Sequence, residues 1–398
     1  MIHRKQSGYD AFKCIADKCP KSCCEGWQIM IDDESIDRYQ NESGHFGQRL
    51  LESINFAEQC FLQNNSRCAM LNDNGLCDLH SSLGEESLCY TCKMFPRHVE
   101  EFQDIREYSL SLACPEYVRM LLDPAYKFSI AENEDDLLDD PEEFEDYDFI
   151  LFDKLDFARD KMLHIAEDSN RSLQGRLNQI ASMALALQEC YDLGDIFERD
   201  SISSGDDSIS WDDSASGVDS ASRNDSASGV DSNRTDVPSA IDDSNRKNTI
   251  SSVAYSNNDN IISTLDYSIE SMDVLINMEV LEESWRDSII SAQKYWKRNS
   301  NDTQICKSAM FPDSNTEFIF QKIFESLLYT YFCGAVYDGQ IYARAMIAVQ
   351  STRWLMLLYF ANNCRDLNSI IYLYSREVEH SDLNVDALIE HFENELIY

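Results

Sequence analysis

The sequence predicts a mainly α protein: a Cys-rich N-terminal part packed with a helical C-terminal part, plus a disordered Ser/Asp-rich insertion. Three observations carry that reading. Ten of the fourteen cysteines lie between Cys14 and Cys114, apolar residues recur at helical spacing from Leu151 onward, and residues 198–260 turn to a Ser- and Asp-rich composition with too little apolar content for a core. The chain divides accordingly into 1–125, the Cys-rich domain; 126–197, an acidic linker and helices; 198–260, the insertion; and 261–398, a helical domain.

Within 1–125, turns are expected at Asn72–Gly75 and Pro96, and the segment closes at Cys114–Pro115. Short helices and loops fit this stretch better than strands. Residues 132–148 hold eleven carboxylates in seventeen positions, and like-charge repulsion makes that run a solvated linker or an exposed helix face. Leu151, Leu155, Ala158, Met162 and Ile165 form one helical stripe, and Leu173, Leu177, Ile180, Ala184 and Leu187 form a second, with a break near Asn170. In the insertion, 201–260 contain eleven Asp and seventeen Ser, and the octamer Asp-Ser-Ala-Ser-Gly-Val-Asp-Ser occurs at both 213–220 and 225–232. Too little apolar surface exists there to offset the entropy of ordering, and a short unit present twice is a duplication rather than a solenoid.

Helical periodicity returns at Leu265, Ile269, Met272 and Ile276, then at Trp285, Ile289, Ala292 and Trp296. Ser314 with Glu317 reads as a capping box ahead of Phe320, Ile323, Phe324, Leu327, Leu328 and Tyr331. The apolar run Ile341–Phe360 reads as a buried helix carrying Arg344 and Arg353, and Leu388, Phe392 and Leu396 mark the last helix.

Charge and glycine content narrow the function. A formal net charge of −39 repels phosphate backbones and anionic lipid, which argues against nucleic acid and membrane insertion. With only 13 glycines and no G-x-G-x-x-G or G-x-x-x-x-G-K-S/T, dinucleotide-binding and P-loop architectures lose their phosphate-cradling loops. The longest apolar stretch, Trp354–Ala361, falls far short of the ~20 residues that span a bilayer. Met1–Lys13 lacks the apolar core of a signal peptide. The expected compartment is the cytoplasm.

In a reducing compartment dense cysteine points first to metal and then to redox chemistry. Cys14-x4-Cys19-x3-Cys23-Cys24 places four thiols within eleven residues, close enough to converge on a soft centre such as an iron–sulfur cluster or zinc. Cys68-x8-Cys77, Cys89-x2-Cys92 and Cys114 supply more thiols than one tetrahedral site uses. Either two sites exist, or one draws on both halves. Cys19-x3-Cys23 begins like the C-x3-C-x2-C loop of radical S-adenosylmethionine enzymes, but the third position is Gly26. A zinc alternative has its own spacing, Cys77-x2-His80 with Cys89-x2-Cys92. Cys190, Cys306, Cys333 and Cys364 read as core packing.

Phe12-x-Cys14, Cys19, Cys23-Cys24-Glu-Gly-Trp27, Cys68-Ala-Met-Leu71, Gly75-Leu-Cys77, Leu83-Gly-Glu-Glu, Thr91-Cys92-x2-Phe-Pro-Arg97 and Ser111-Leu-Ala-Cys-Pro-Glu116 together resemble the flagellin lysine-N-methylase family. They are similar, more loosely, to zinc- or iron-chelating Cys-rich domains. The resemblance is specific across about residues 9–120. It implies a methyltransferase that moves a methyl group from S-adenosylmethionine to lysine side chains of flagellin, with a 4Fe-4S cluster held by cysteines. Carried over by position, the metal thiols are Cys14, Cys19, Cys23, Cys24, Cys68, Cys77, Cys92 and Cys114. His80 and Cys89 depart from the family pattern.

Lysine attacks only as the neutral amine, and its free pKa of about 10.4 demands desolvation or a base. Glu25, Glu85, Glu86 and Glu116 are the candidate bases, each set against a solvated carboxylate. Trp27 is a candidate cover for a sulfonium, set against a core aromatic. Arg97 is a candidate for the carboxylate of the methyl donor, set against a structural ion pair. An acidic protein also attracts a lysine-presenting partner. The alternative function is a non-enzymatic iron- or zinc-handling protein.

Overall fold

A computed structural model describes residues 1–102, 104–135, 148–194, 196 and 259–397. The insertion at 198–260 lies outside the described residues, except that Asp259 and Asn260 open a helix. Every expected apolar stripe C-terminal of Leu151 falls on a helix. Phe149–Glu167 and Leu173–Asp192 flank the break at Asn170, and Asp259–Glu270, Met272–Asn277 and Glu283–Asn299 follow. Ser314–Tyr331, Ile341–Ala361, Leu367–Val378 and Asp382–Ile397 complete the body.

The helix Ile341–Ala361 is the axis of this body. It is buried around its whole circumference from Ala345 to Leu358, polar Gln350, Ser351, Thr352 and Arg353 included, so other helices must enclose it. The helices Leu173–Asp192, Glu283–Asn299, Ser314–Tyr331 and Asp382–Ile397 enclose it. Arg353 shares its burial and donates to side-chain oxygens of Gln174, Gln350 and Asn178. Among the described residues no helix is long and apolar enough to cross a membrane.

The Cys-rich part departs from its expectation. Four strands form one mixed sheet in the order Arg97–Phe102, Ile105–Leu110, Ile2–Gln6, Ile130–Glu134. Ile2–Gln6 runs parallel to Ile105–Leu110, pairing Ile2 with Ile105, and antiparallel to Ile130–Glu134, pairing Gln6 with Ile130. Hydropathy hides these strands because polar Gln6, Glu107 and Ser109 interrupt the apolar residues on their buried positions. Ile105, Glu107 and Ser109 alternate inward, and Glu107 is matched by Arg159 from the helix Phe149–Glu167, Nη1 to Oε2 2.6 Å. Arg4 and Asp156 extend the network, Arg4 Nη1 to Asp156 Oδ1 2.9 Å. Glu132 and Glu134, expected in a linker or helix face, belong to the edge strand, where exposed charge discourages further pairing. Residues 136–147 lie outside the described residues.

Two further expectations change. Asp313 caps Ser314–Tyr331, accepting from the amides of Asn315 and Thr316 at 3.0 and 3.2 Å. Glu317 does not close a capping box with Ser314; it accepts from Leu173 N at 2.6 Å and pairs with Arg176. Of the scattered cysteines, Cys306 and Cys333 are buried, but Cys190 is half-buried and Cys364 is exposed.

Apolar side chains gather in two clusters. The large one joins the helical body to Tyr9, Phe12, Phe102 and Tyr117 from the N-terminal part. The small one, with Ile31, Tyr39, Leu50, Phe61 and Met70, lies within residues 29–89. The candidate site opens where the two meet.

Candidate thiol-lined site

A cavity of about 590 Å³ is lined by Cys14, Cys19, Cys23, Cys24, Cys77, Cys92 and Cys114, together with Trp27 and Arg97. Its walls come from both clusters. Cys24, Trp27, Cys77 and Cys92 pack on the small one, whereas Phe12, Phe95 and Cys114 belong to the large one. Seven of the eight thiols singled out by sequence therefore meet at one place. The eighth, Cys68, is buried behind the lining, its amide donating to Cys24 O at 2.8 Å.

Local backbone explains the placements. Cys114 is the N-cap position of Pro115–Leu122, a helix with proline in its first turn. Cys77 and Cys89 precede the short helices Asp78–Leu83 and Tyr90–Met94. Asn72 and Gly75 close the expected turn, Gly75 N to Asn72 O 3.0 Å, with Gly75 at φ +75°. Between the two halves, Cys23 and Cys24 sit within hydrogen-bond reach of each other, so one thiol of the pair ionises readily and the other holds its proton. The Cys24 thiol is lowered to about 7 by Cys23 and by Ser22. Burial pushes Cys68 and Cys114 up to about 12.

The electrostatic neighbours sort the thiols. Besides burial, Cys19 and Cys14 push Cys114 up, and Cys24 pushes up Cys23, Cys68, Cys77 and Cys92, so the vicinal pair lies at the centre of the thiol set. Cys60, a buried thiol outside the cavity, accepts from Gln28 Nε2 at 3.0 Å. Thiols at this density are soft donors. Among the described residues, however, no three His, Cys, Asp or Glu side chains are arranged as ligands of a single metal ion.

The remaining candidates have identifiable surroundings. Arg97 lies over the rings of Tyr9 and Phe12 at 5.6 and 5.3 Å and donates to Phe12 O at 3.3 Å. Neither it nor Lys13, also on the cavity wall, has a carboxylate partner among the described residues. Glu25 pairs with Arg67 at 3.3 Å, Glu86 with Lys93 at 2.7 Å and Glu116 with Arg119 at 2.7 Å. Glu85 and His80 line the cavity. The ring of Trp27 stacks on His380 at 4.8 Å and lies 4.7 Å from the Arg376 guanidinium.

Arg376, His380 and Glu282 escaped the sequence reading. Arg376 donates to the carbonyls of Ser22 and Glu25, His380 Nε2 meets Ser111 Oγ at 3.0 Å, and Glu282 pairs with Lys21. The available signal was the position of Arg376 in the amphipathic segment Leu367–Val378, beside the apolar residues Tyr372, Leu373 and Val378.

The fold and site together define a mainly helical protein with a thiol-lined cavity built by residues 12–116 and backed by Arg376 and His380 from the other end of the chain. Over 133 residues the chain is 30% identical to the flagellar biosynthetic protein FliU of Salmonella muenchen, a match that takes in 28% of this chain and 73% of that relative. It is 30% identical over 133 residues to proteins named lysine-N-methylase from Salmonella typhimurium and Salmonella choleraesuis, covering 31% of each. The chain belongs to the family of FliU and is related to these lysine-N-methylases, of whose length it spans about 31%. No family model matches the chain, and no solved structure matches it.

Proposed function

We propose that the protein is an S-adenosylmethionine-dependent protein-lysine N-methyltransferase acting on flagellin, with an iron–sulfur cluster held by cavity thiols. The observation that carries this reading is the gathering of seven cysteines with Arg97 and Trp27 on one cavity, in a chain related to lysine-N-methylases. The four ligands of the cluster would be drawn from Cys14, Cys19, Cys23, Cys24, Cys77, Cys92 and Cys114, with Cys68 behind them. A cluster spreads its thiolates more widely than a single ion does, which favours it over zinc for this donor set. When bound it would supply a polarising charge beside the methyl donor.

The chain's own residues would do the rest. Arg97 and Lys13, which have no carboxylate partner among the described residues, suit the carboxylate of the methyl donor. The apolar wall of Phe12, Ile29, Leu71 and Leu76 desolvates an entering ammonium and so favours the neutral amine. Of the two carboxylates lining the cavity, Glu116 is committed to Arg119, which leaves Glu85 to take the proton. The amine lone pair forms the new N–CH3 bond while the sulfonium C–S pair returns to sulfur.

Protein purified without oxygen should be brown, contain iron and acid-labile sulfide in matched amounts, and transfer label from S-adenosylmethionine to lysines of unmodified flagellin. Stoichiometric zinc in colourless protein removes the cluster. An intact metal centre without lysine labelling favours metal handling instead.

A further inference from the structure

The segment Lys21–Trp27, which carries the adjacent thiols Cys23 and Cys24, is held from the opposite end of the chain. Arg376 Nη1 donates to Ser22 O at 3.1 Å, and Nη2 donates to Glu25 O. The same guanidinium lies 4.7 Å from the Trp27 ring centre. One side chain, 3% exposed, thus grips the loop on both sides of the vicinal pair. Gly26 is shaped to it: its φ is +95°, and a Cβ there would come within 2.6 Å of Arg376 Nη2.

The support behind Arg376 is equally specific. The adjacent Glu377 accepts from the amides of Leu281 and Glu282 at 2.6 and 3.1 Å, and Glu282 in turn pairs with Lys21 at the start of the loop. Asn384 Nδ2 donates to the carbonyls of Glu279 and Glu377 at 2.8 and 2.6 Å. His380, stacked on Trp27 and bonded to Ser111, closes the other flank.

We infer that Arg376 is a positioning residue that fixes the Cys23–Cys24 loop against the C-terminal helices and thereby sets where these two thiols stand in the cavity. Its charge is not the essential property. A planar fork can reach two carbonyls and stack on an indole at once, whereas an ammonium cannot reproduce that geometry. Its importance for methyl transfer rests on the function proposed above; the positioning of the thiols does not.

The test is residue-resolved alkylation of the full-length reduced, metal-free protein by iodoacetamide, followed by mass spectrometry, for wild type, Arg376→Lys, Arg376→Gln and Gly26→Ala. Cys23 and Cys24 should react at least tenfold faster in all three variants, with Cys60 and Cys333 unchanged and thermal unfolding still cooperative. Unchanged rates at Cys23 and Cys24 in the folded variants overturn the inference. A uniform rise at all cysteines, or full wild-type behaviour in Arg376→Lys, overturns it too, because the first indicates general loosening and the second a role for charge alone. Loss of methyl transfer with altered alkylation supports both readings, whereas altered alkylation in a protein that never methylates lysine leaves the latch standing and removes the function.

Discussion

Glu325 shows how far one side chain can depart from its sequence neighbourhood. Flanked by Phe324 and Ser326, it reads as a polar position beside an apolar stripe, yet it is 4% exposed. Burial pushes its carboxyl up to about 8, against the opposing effects of Gln321, Arg176 and Lys322. The folded chain therefore binds a proton that the unfolded chain releases near pH 4.5. That contribution to stability is full below about pH 4.5 and is lost as pH rises through about 8. Glu325→Gln should abolish the loss, making the variant more stable than wild type at pH 9 by on the order of 1–3 kcal/mol, read as the difference between denaturant midpoints at pH 5 and pH 9. Parallel pH profiles for the two proteins would show that Glu325 ionises as freely folded as unfolded.

At the scale of elements, the start of Ser314–Tyr331 separates two caps that sequence alone cannot distinguish. Asp313 and Ser314 are both good cap residues, and Glu317 stands at the spacing of a capping box with Ser314. Tertiary contact decides: Glu317 is drawn to Leu173 N and Arg176 on another helix, and Asp313 takes the free amides. Asp313→Ala should cost about 1 kcal/mol, whereas Ser314→Ala should change stability by less than about 0.5 kcal/mol, both measured by urea unfolding. The helical stripes themselves were legible, since Leu177, Ile180 and Ala184, or Ile289 and Trp296, are all buried at the expected period. The sheet was not. Period-2 alternation is recognisable only when apolar residues face inward, and Glu107 and Ser109 reverse that rule.

Across the whole molecule, that buried glutamate joins the sheet to the helical body. Glu107 and Arg159 are 4% and 2% exposed, and removing the carboxylate strands a buried guanidinium. Arg159 keeps Asp156 at 3.0 Å, which puts the expected cost of Glu107→Ala at the lower end of the usual range, about 3 kcal/mol, measurable as a fall in the unfolding midpoint with one cooperative transition. The candidate site takes its walls from both apolar clusters, and Arg376 on the helix Leu367–Val378 bonds across to the Ser22–Glu25 loop beside the small one.

Periodicity was enough to predict the helical body, because it is a property of short stretches, whereas the eight thiols, seven of which line one cavity, were marked out by the resemblance of their surrounding motifs to a known family. Only the tertiary structure decided that Cys68 stands behind the cavity wall, that Arg97 rests on Tyr9 and Phe12, and that Arg376, 354 residues from Ser22, holds the vicinal cysteines. Contacts at that separation are set by which buried surfaces pack together, and no local pattern in the chain encodes them.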